Sequence, residues 1–153
     1  DVVAALHLQG IRKLIIVNGH GGNSFKNMIR DLSVDFPDFL IAITNWYGIV
    51  PQEGYFENKD DHAGELETSV MMYYHPELVN LEEAGEGTSK PFALSSLNAQ
   101  IAWLPRYWSK VSADTGIGDP RKSTPEKGER YAKAVIEKLA LLFTEIGSKE
   151  VYL

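Results

Sequence analysis

The stretch "KLIIVNGHGGN", Lys13 to Asn23, decides how this chain is read. Leu14, Ile15, Ile16 and Val17 form a short, mostly β-branched run that stops at Asn18-Gly19. An unbroken apolar run of this length predicts a strand buried on both faces, as in a parallel sheet. The turn that follows then stands at the strand's carboxyl end, where open α/β sheets hold their ligands. His20 sits there among Gly19, Gly21 and Gly22. It is either a turn histidine bonded to its neighbours or an imidazole displayed to a metal, with the glycines leaving room. "GHGGN" matches neither a dinucleotide fingerprint nor a Walker loop, so a phosphate cradle carries little weight.

Working outward, Phe25, Met28, Ile29 and Leu32 in "NSFKNMIRDLSVDF" recur at helical spacing, and "PDFLIAITNW" supplies a second strand. Strand–helix–strand in this order implies a crossover and a parallel sheet. Upstream, "DVVAALHLQG" reads as a helix with Val2, Val3, Leu6 and His7 on one face and Gly10 as its stop. Only Asp1 is placed to cap it, so an upstream region is expected to be missing. Tyr47 to Asp61 suits a loop over a site, and "GELETSVMMYY" reads as a helix with Leu66, Val70 and Tyr73 inward. Residues 77–124 carry no clear period. In "STPEKGERYAKAVIEKLALLFTEIG", Thr124 is the cap and Pro125 the first helical residue. Ala132, Val135, Ile136, Leu139, Leu142, Phe143 and Ile146 form the stripe, and Gly147 the end.

The chain has 153 residues, one domain by length, with a net charge of −6, 44% hydrophobic residues and no cysteine. Disulfides and thiolate metal sites are therefore excluded. The basic residues are scattered, which argues against a nucleic-acid partner. No apolar run reaches the roughly 18 residues of a membrane helix, and a cytoplasmic protein is expected.

The second cluster is "DDHAGELETS". Asp60, Asp61, His62, Glu65 and Glu67 crowd the start of the predicted helix. Acids in a first turn are ordinary partners of the helix dipole, but His62 among them is not explained that way. Helical spacing puts Glu65 on the face of Ser69 and Glu67 elsewhere, so the two glutamates should differ in role. Carboxylate and imidazole together suit zinc, manganese or iron better than calcium. His7 and His75 read as structural.

With both clusters in view, the chain resembles the creatininase family of metal-dependent amidohydrolases. The matching words are "NGHGGN", "HAGELETS" with "MMYYHPELV", and "GDPRKSTPEKG" before the last helix. The resemblance implies a three-layer α/β/α fold with a mainly parallel sheet, incomplete at its N-terminus, as a single domain over residues 1–153. It also implies two divalent ions (Zn, Mn or Fe) and hydrolysis of a C–N amide or cyclic amide bond other than a peptide bond. Carried over by position, His20 is a metal ligand, and His62 gives the leaving nitrogen its proton. Trp46 resembles a tryptophan that closes over substrate, with Gly21, Gly22 and Asn23 beside it.

The departures matter as much. The creatinine-hydrolysing enzymes have a metal-binding glutamate where this chain has Gly22, and an apolar residue where it has Glu65. Glu65 is therefore expected to replace that ligand, with Glu67 as the family's motif glutamate in a supporting role and Asp61 or Asp60 orienting His62. A second substrate-covering tryptophan falls near Asn58, where Tyr55 or Phe56 would have to substitute, which makes creatinine itself doubtful. Arg121 and Lys122 are candidates for a substrate phosphate. The expected partners are a small amide substrate, a second copy in a homo-oligomer, and the missing N-terminal region or a complementary chain. The competing expectation is a non-catalytic α/β scaffold that packs on a partner and carries a vestigial metal site.

Overall fold

The structure is a computed structural model and describes residues 1–58 and 61–152. Its helices are α1 (Val2–Leu8), α2 (Lys26–Asp35), α3 (Glu65–Tyr74), α4 (Ser95–Asn98), α5 (Trp108–Val111) and α6 (Pro125–Ser148). Its strands are β1 (Lys13–Asn18) and β2 (Leu40–Asn45). The residues expected as one domain group into two compact units, residues 1–51 with 134–153, and residues 52–133.

In the first unit, β1 and β2 pair in parallel, from Lys13 opposite Leu40 to Asn18 opposite Asn45. Parallel neighbours cannot be joined by a tight turn, so α2 lies in the crossover, as the strand–helix–strand pattern predicts. The burial does not follow that pattern. β1 is half-buried rather than covered on both faces, and Val17 is 44% exposed. Among the described residues the sheet has two strands, so each strand leaves one edge unpaired. On α2, Ile29 and Leu32 turn inward with the flanking Phe25 and Phe36, while Met28 is exposed.

Helix α1 buries Val3 and half-buries Leu6 and His7, leaving Val2 outside. It ends in a paired cap: Ile11 N–H donates to Leu6 O at 3.1 Å and Gly10 N–H to His7 O at 3.0 Å. That arrangement requires the residue after the cap to be left-handed, and Gly10 has φ +83°. His7 is structural, as expected. Its Nε2 lies 2.9 Å from Asp38 Oδ1, and its ring packs 5.4 Å from Phe36. The hydrogen bond to His7 holds the Asp38 carboxyl below its ordinary range. At the far end of α6, Lys13 Nζ donates to Ile146 O at 2.6 Å, a cation on the carbonyl end of the helix.

In the second unit, Leu66, Glu65 and Ser69 of α3 and Tyr131 and Ala132 of α6 are buried. Tyr131 meets Tyr55 and Phe56 nearly edge-on at 5.4 and 5.2 Å, and burial pushes its hydroxyl up to about 12. The backbones of α3 and α6 cross in contact at Gly128. A Cβ there would lie 2.0 Å from Ser69 O, so no larger residue fits without moving a helix. Thr124 caps α6 by accepting from Lys127 N–H at 3.2 Å, and Pro125 opens the helix, both as the sequence predicts. The apolar stripes are narrower than predicted: Ile136 and Phe143 of α6 and Tyr73 of α3 are exposed. A helix face wider than its neighbour leaves its margins uncovered. Among the described residues, no helix is long and apolar enough to cross a membrane.

Candidate functional site

The first cluster stands at the carboxyl ends of the paired strands. Its hub is Asn18, the buried last residue of β1. Asn18 Nδ2 donates to His20 O at 2.9 Å and to Asn45 Oδ1, at the end of β2, at 2.8 Å. Its Oδ1 accepts from Asn23 Nδ2 at 2.9 Å and from His20 N–H at 3.3 Å. One amide thus closes the whole turn and satisfies its own buried polar atoms.

The glycines have a local reason. A Cβ on Gly22 would lie 2.8 Å from Cε1 of His20, so that glycine makes room for the histidine ring rather than for a ligand. Gly22 N–H donates to His20 Nδ1 at 3.0 Å, which in the neutral ring assigns the proton to Nε2. Trp46 is brought to this turn, its Nε1 donating to Gly19 O at 3.3 Å. Asn23, expected at substrate, is engaged with Asn18.

The second cluster is built on the N-terminus of α3. His62 is pinned by its backbone: His62 N–H donates to Ile117 O at 2.9 Å, and Ile117 N–H returns to His62 O at 2.8 Å. Ala63 follows in the left-handed region at φ +52°. Glu67 reaches back to accept from Ala63 N–H at 2.7 Å, and the same oxygen lies 3.9 Å from His62 Nδ1. Glu67 is the third residue of the helix, and its carboxylate reaches the backbone one residue before the N-cap Gly64. Trp108 packs against the His62 ring at 5.0 Å. Asp61, expected in support of His62, is engaged by a cation from a distant segment. It is held by both terminal nitrogens of Arg106, whose guanidinium lies 5.7 Å from the Trp108 ring centre. Asp60 lies outside the described residues.

Glu65 is fully buried, and the structure gives its oxygens to protein donors. Oε2 accepts from the backbone N–H groups of Glu57 and Asn58 at 2.9 and 2.8 Å. Oε1 takes the Lys127 ammonium at 2.5 Å, and Lys127 Nζ also donates to Lys122 O at 2.9 Å. The bond to Glu65 raises the Lys127 pKa above its usual value. A metal at Glu65 would compete with that ammonium. Among the described residues, no three His, Asp or Glu side chains are grouped to hold a metal ion.

The remaining candidates are otherwise engaged. Tyr55 and Phe56 pack on Tyr131. Arg121 forks onto Asp119, holding that carboxyl at about 2, and Lys122 pairs with Glu57. His75 pairs with Glu77 at 3.3 Å. Sequence reasoning missed Asn18, Arg106, Trp108 and Lys127. Only Asn18 had a local signal, because both strands end in asparagine.

Fold and motifs together define a chain of the creatininase family, whose model, described as creatinine amidohydrolase, matches residues 1–143. The chain belongs to that family. A crystal structure from Bacteroides fragilis, described provisionally as a creatinine amidohydrolase, is 61% identical with a TM-score of 0.95, covering 100% of this chain and 61% of that one. The mycofactocin precursor peptide peptidase of Mycobacterium ulcerans is 30% identical over 129 residues, covering 82% of this chain and 45% of the relative. A Zn–Zn form of a glutamate-to-glutamine variant of creatininase is 23% identical with a TM-score of 0.72, covering 94% of this chain and 59% of that one, and shares the fold. A manganese form of creatininase is also among the structural neighbours. The chain spans about half the length of the curated peptidase relatives it matches.

Proposed function

We propose that this chain carries the proton-delivering half of a metal-dependent hydrolase that cleaves the C–N bond of an amide. The observation that carries this is the His62–Glu67 pair inside "HAGELETS", in a chain of the creatininase family. An amide nitrogen is a poor leaving group until it is protonated. Imidazole changes charge near neutral pH and suits that transfer, which contributes ~10²–10⁴-fold when well placed. Glu67 faces Nδ1 at 3.9 Å, which leaves Nε2 as the atom that meets the leaving nitrogen. Glu67 is thereby the supporting residue, and Asp61 pairs with Arg106.

The metal requirement is proposed from the family and from the zinc and manganese forms of its creatininases. His20 is the candidate ligand at the strand end, with Gly21, Gly22, Asn23 and Trp46 as the surface beside it. Glu65 joins such a centre only by giving up Lys127. The amide is proposed without restriction to non-peptide bonds. A peptide peptidase at 30% identity supports extending the class to peptides.

The scaffold alternative is supported by the Lys127 ammonium, which occupies the Glu65 oxygen that a metal would take. Elemental analysis of the purified protein, with turnover measured on creatinine, a formamide and short peptides, separates the two. Bound divalent metal, with a His62→Ala variant that keeps it but loses ~10²–10⁴-fold in turnover, supports the hydrolase. Absence of metal and of turnover supports the scaffold.

A further inference from the structure

We infer that Trp108, locked in place by Arg106, is a positioning residue that fixes the plane of the His62 ring for proton delivery. The inference rests on the proton-donor role proposed for His62. A proton donor works only if its ring atom is held within hydrogen-bond reach of the leaving nitrogen, and an error of about 1 Å can cost roughly 10²-fold in rate. His62 has its backbone fixed on Ile117, but that leaves both side-chain torsions open. Glu67 Oε2, at 3.9 Å from Nδ1, is too far for a hydrogen bond and does not by itself set the ring's rotation. The indole of Trp108, 5.0 Å away and inclined at 51°, adds a constraint on the ring face.

The indole is itself held. Arg106 sits over Trp108 at 5.7 Å and grips both oxygens of Asp61, the residue next to His62. Asp61, Arg106, Trp108 and His62 therefore form a closed ring of contacts, completed by the chain at 61–62 and at 106–108. Swinging the indole away from His62 means losing the cation over its face and loosening the two-pronged ion pair. General core packing does not explain this placement. Trp103 and Tyr107 of the same segment point outward, at 85% and 66% exposure, and Trp108 is the aromatic of that group turned in, against the histidine.

The test uses the full chain, with the amide substrate identified in the panel above, and two readouts. The first is the proton NMR shift of the His62 ring carbons, which the indole ring current displaces. The second is kcat, KM and the pH profile of kcat. Trp108→Leu is expected to abolish the displaced shift and to lower kcat roughly 10- to 100-fold with KM little changed. It should also move the limb of the profile set by His62. Trp108→Phe should restore most of the rate, and Arg106→Met should show a smaller loss of the same kind. Near-ultraviolet circular dichroism identifies a misfolded leucine variant, in which case the phenylalanine and methionine variants decide. If His62→Gln abolishes turnover while the Trp108 and Arg106 variants keep wild-type kcat and His62 shifts, the positioning role is overturned alone. If His62→Gln leaves turnover intact, the proton-donor role falls and the positioning role with it.

Discussion

The two histidine segments are held in different ways. The His20 turn is closed by its own backbone and by one buried amide, Asn18, which bonds within the turn and to the adjacent strand. The His62 segment is closed by side chains that arrive from far along the chain: Trp108 on its ring, and Arg106 on its neighbour Asp61. The buried Glu65 is likewise met by Lys127. A turn closed locally can be displayed at a strand end with little supporting structure. A histidine set by distant partners depends on the packing of its whole unit, and so reports on it.

The largest expected effect tests that dependence. Lys127→Met leaves the fully buried Glu65 carboxylate with its two backbone donors and no counter-charge. It should cost about 3–5 kcal/mol, read by urea denaturation. Because the folded-state pKa of Lys127 is raised above 10.5, its contribution is fully present below that value and lost as pH rises through the folded pKa. The variant should therefore lose stability less steeply on the alkaline side than the parent. Tyr131, whose pKa is also raised, keeps part of that slope in both. An unchanged midpoint in Lys127→Met would mean that Glu65 is held by its backbone donors alone.

Asn18→Ala should come next, at roughly 1–3 kcal/mol, because it strips partners from His20, Asn23 and Asn45 together. The same denaturation measurement checks it. A loss as large as that of Lys127→Met would erase the contrast between a locally closed turn and a packed unit. The smallest effect belongs to Gly22→Ala. Its Cβ meets the end of a flexible side chain rather than backbone, so stability should move by less than about 1 kcal/mol. The His20 ring should turn away from Gly22 N–H, visible as a change in its ring nitrogen shifts. An unmoved ring would mean that the turn backbone had shifted instead.

What was legible in the sequence follows the same division. The β1–α2–β2 order, the Gly10 stop and the Thr124–Pro125 start are set by neighbours within a few residues, and the sequence predicts all three as the structure has them. So was the separation of Glu65, buried beside Ser69, from Glu67, which follows from the helical period. The partners of those residues were not legible. Lys127 is 62 residues from Glu65, and no local spacing records their meeting. The expected metal role of Glu65 rests on the family resemblance, and the support role of Asp61 on its place beside His62. In the structure each carboxylate is matched to a distant cation. The overestimated burial of Met28, Tyr73, Ile136 and Phe143 has a related cause, because periodicity marks a face but not how much of it a neighbour covers.

Ala63 gives one further consequence. A glycine would take φ +52° freely, yet the chain places a methyl group there, between His62 and Gly64. A left-handed angle costs a residue with a Cβ about 1–2 kcal/mol, more than that Cβ gains by restricting the unfolded chain. The bend beside His62 is therefore a point of stored strain, held in place by the paired hydrogen bonds between His62 and Ile117.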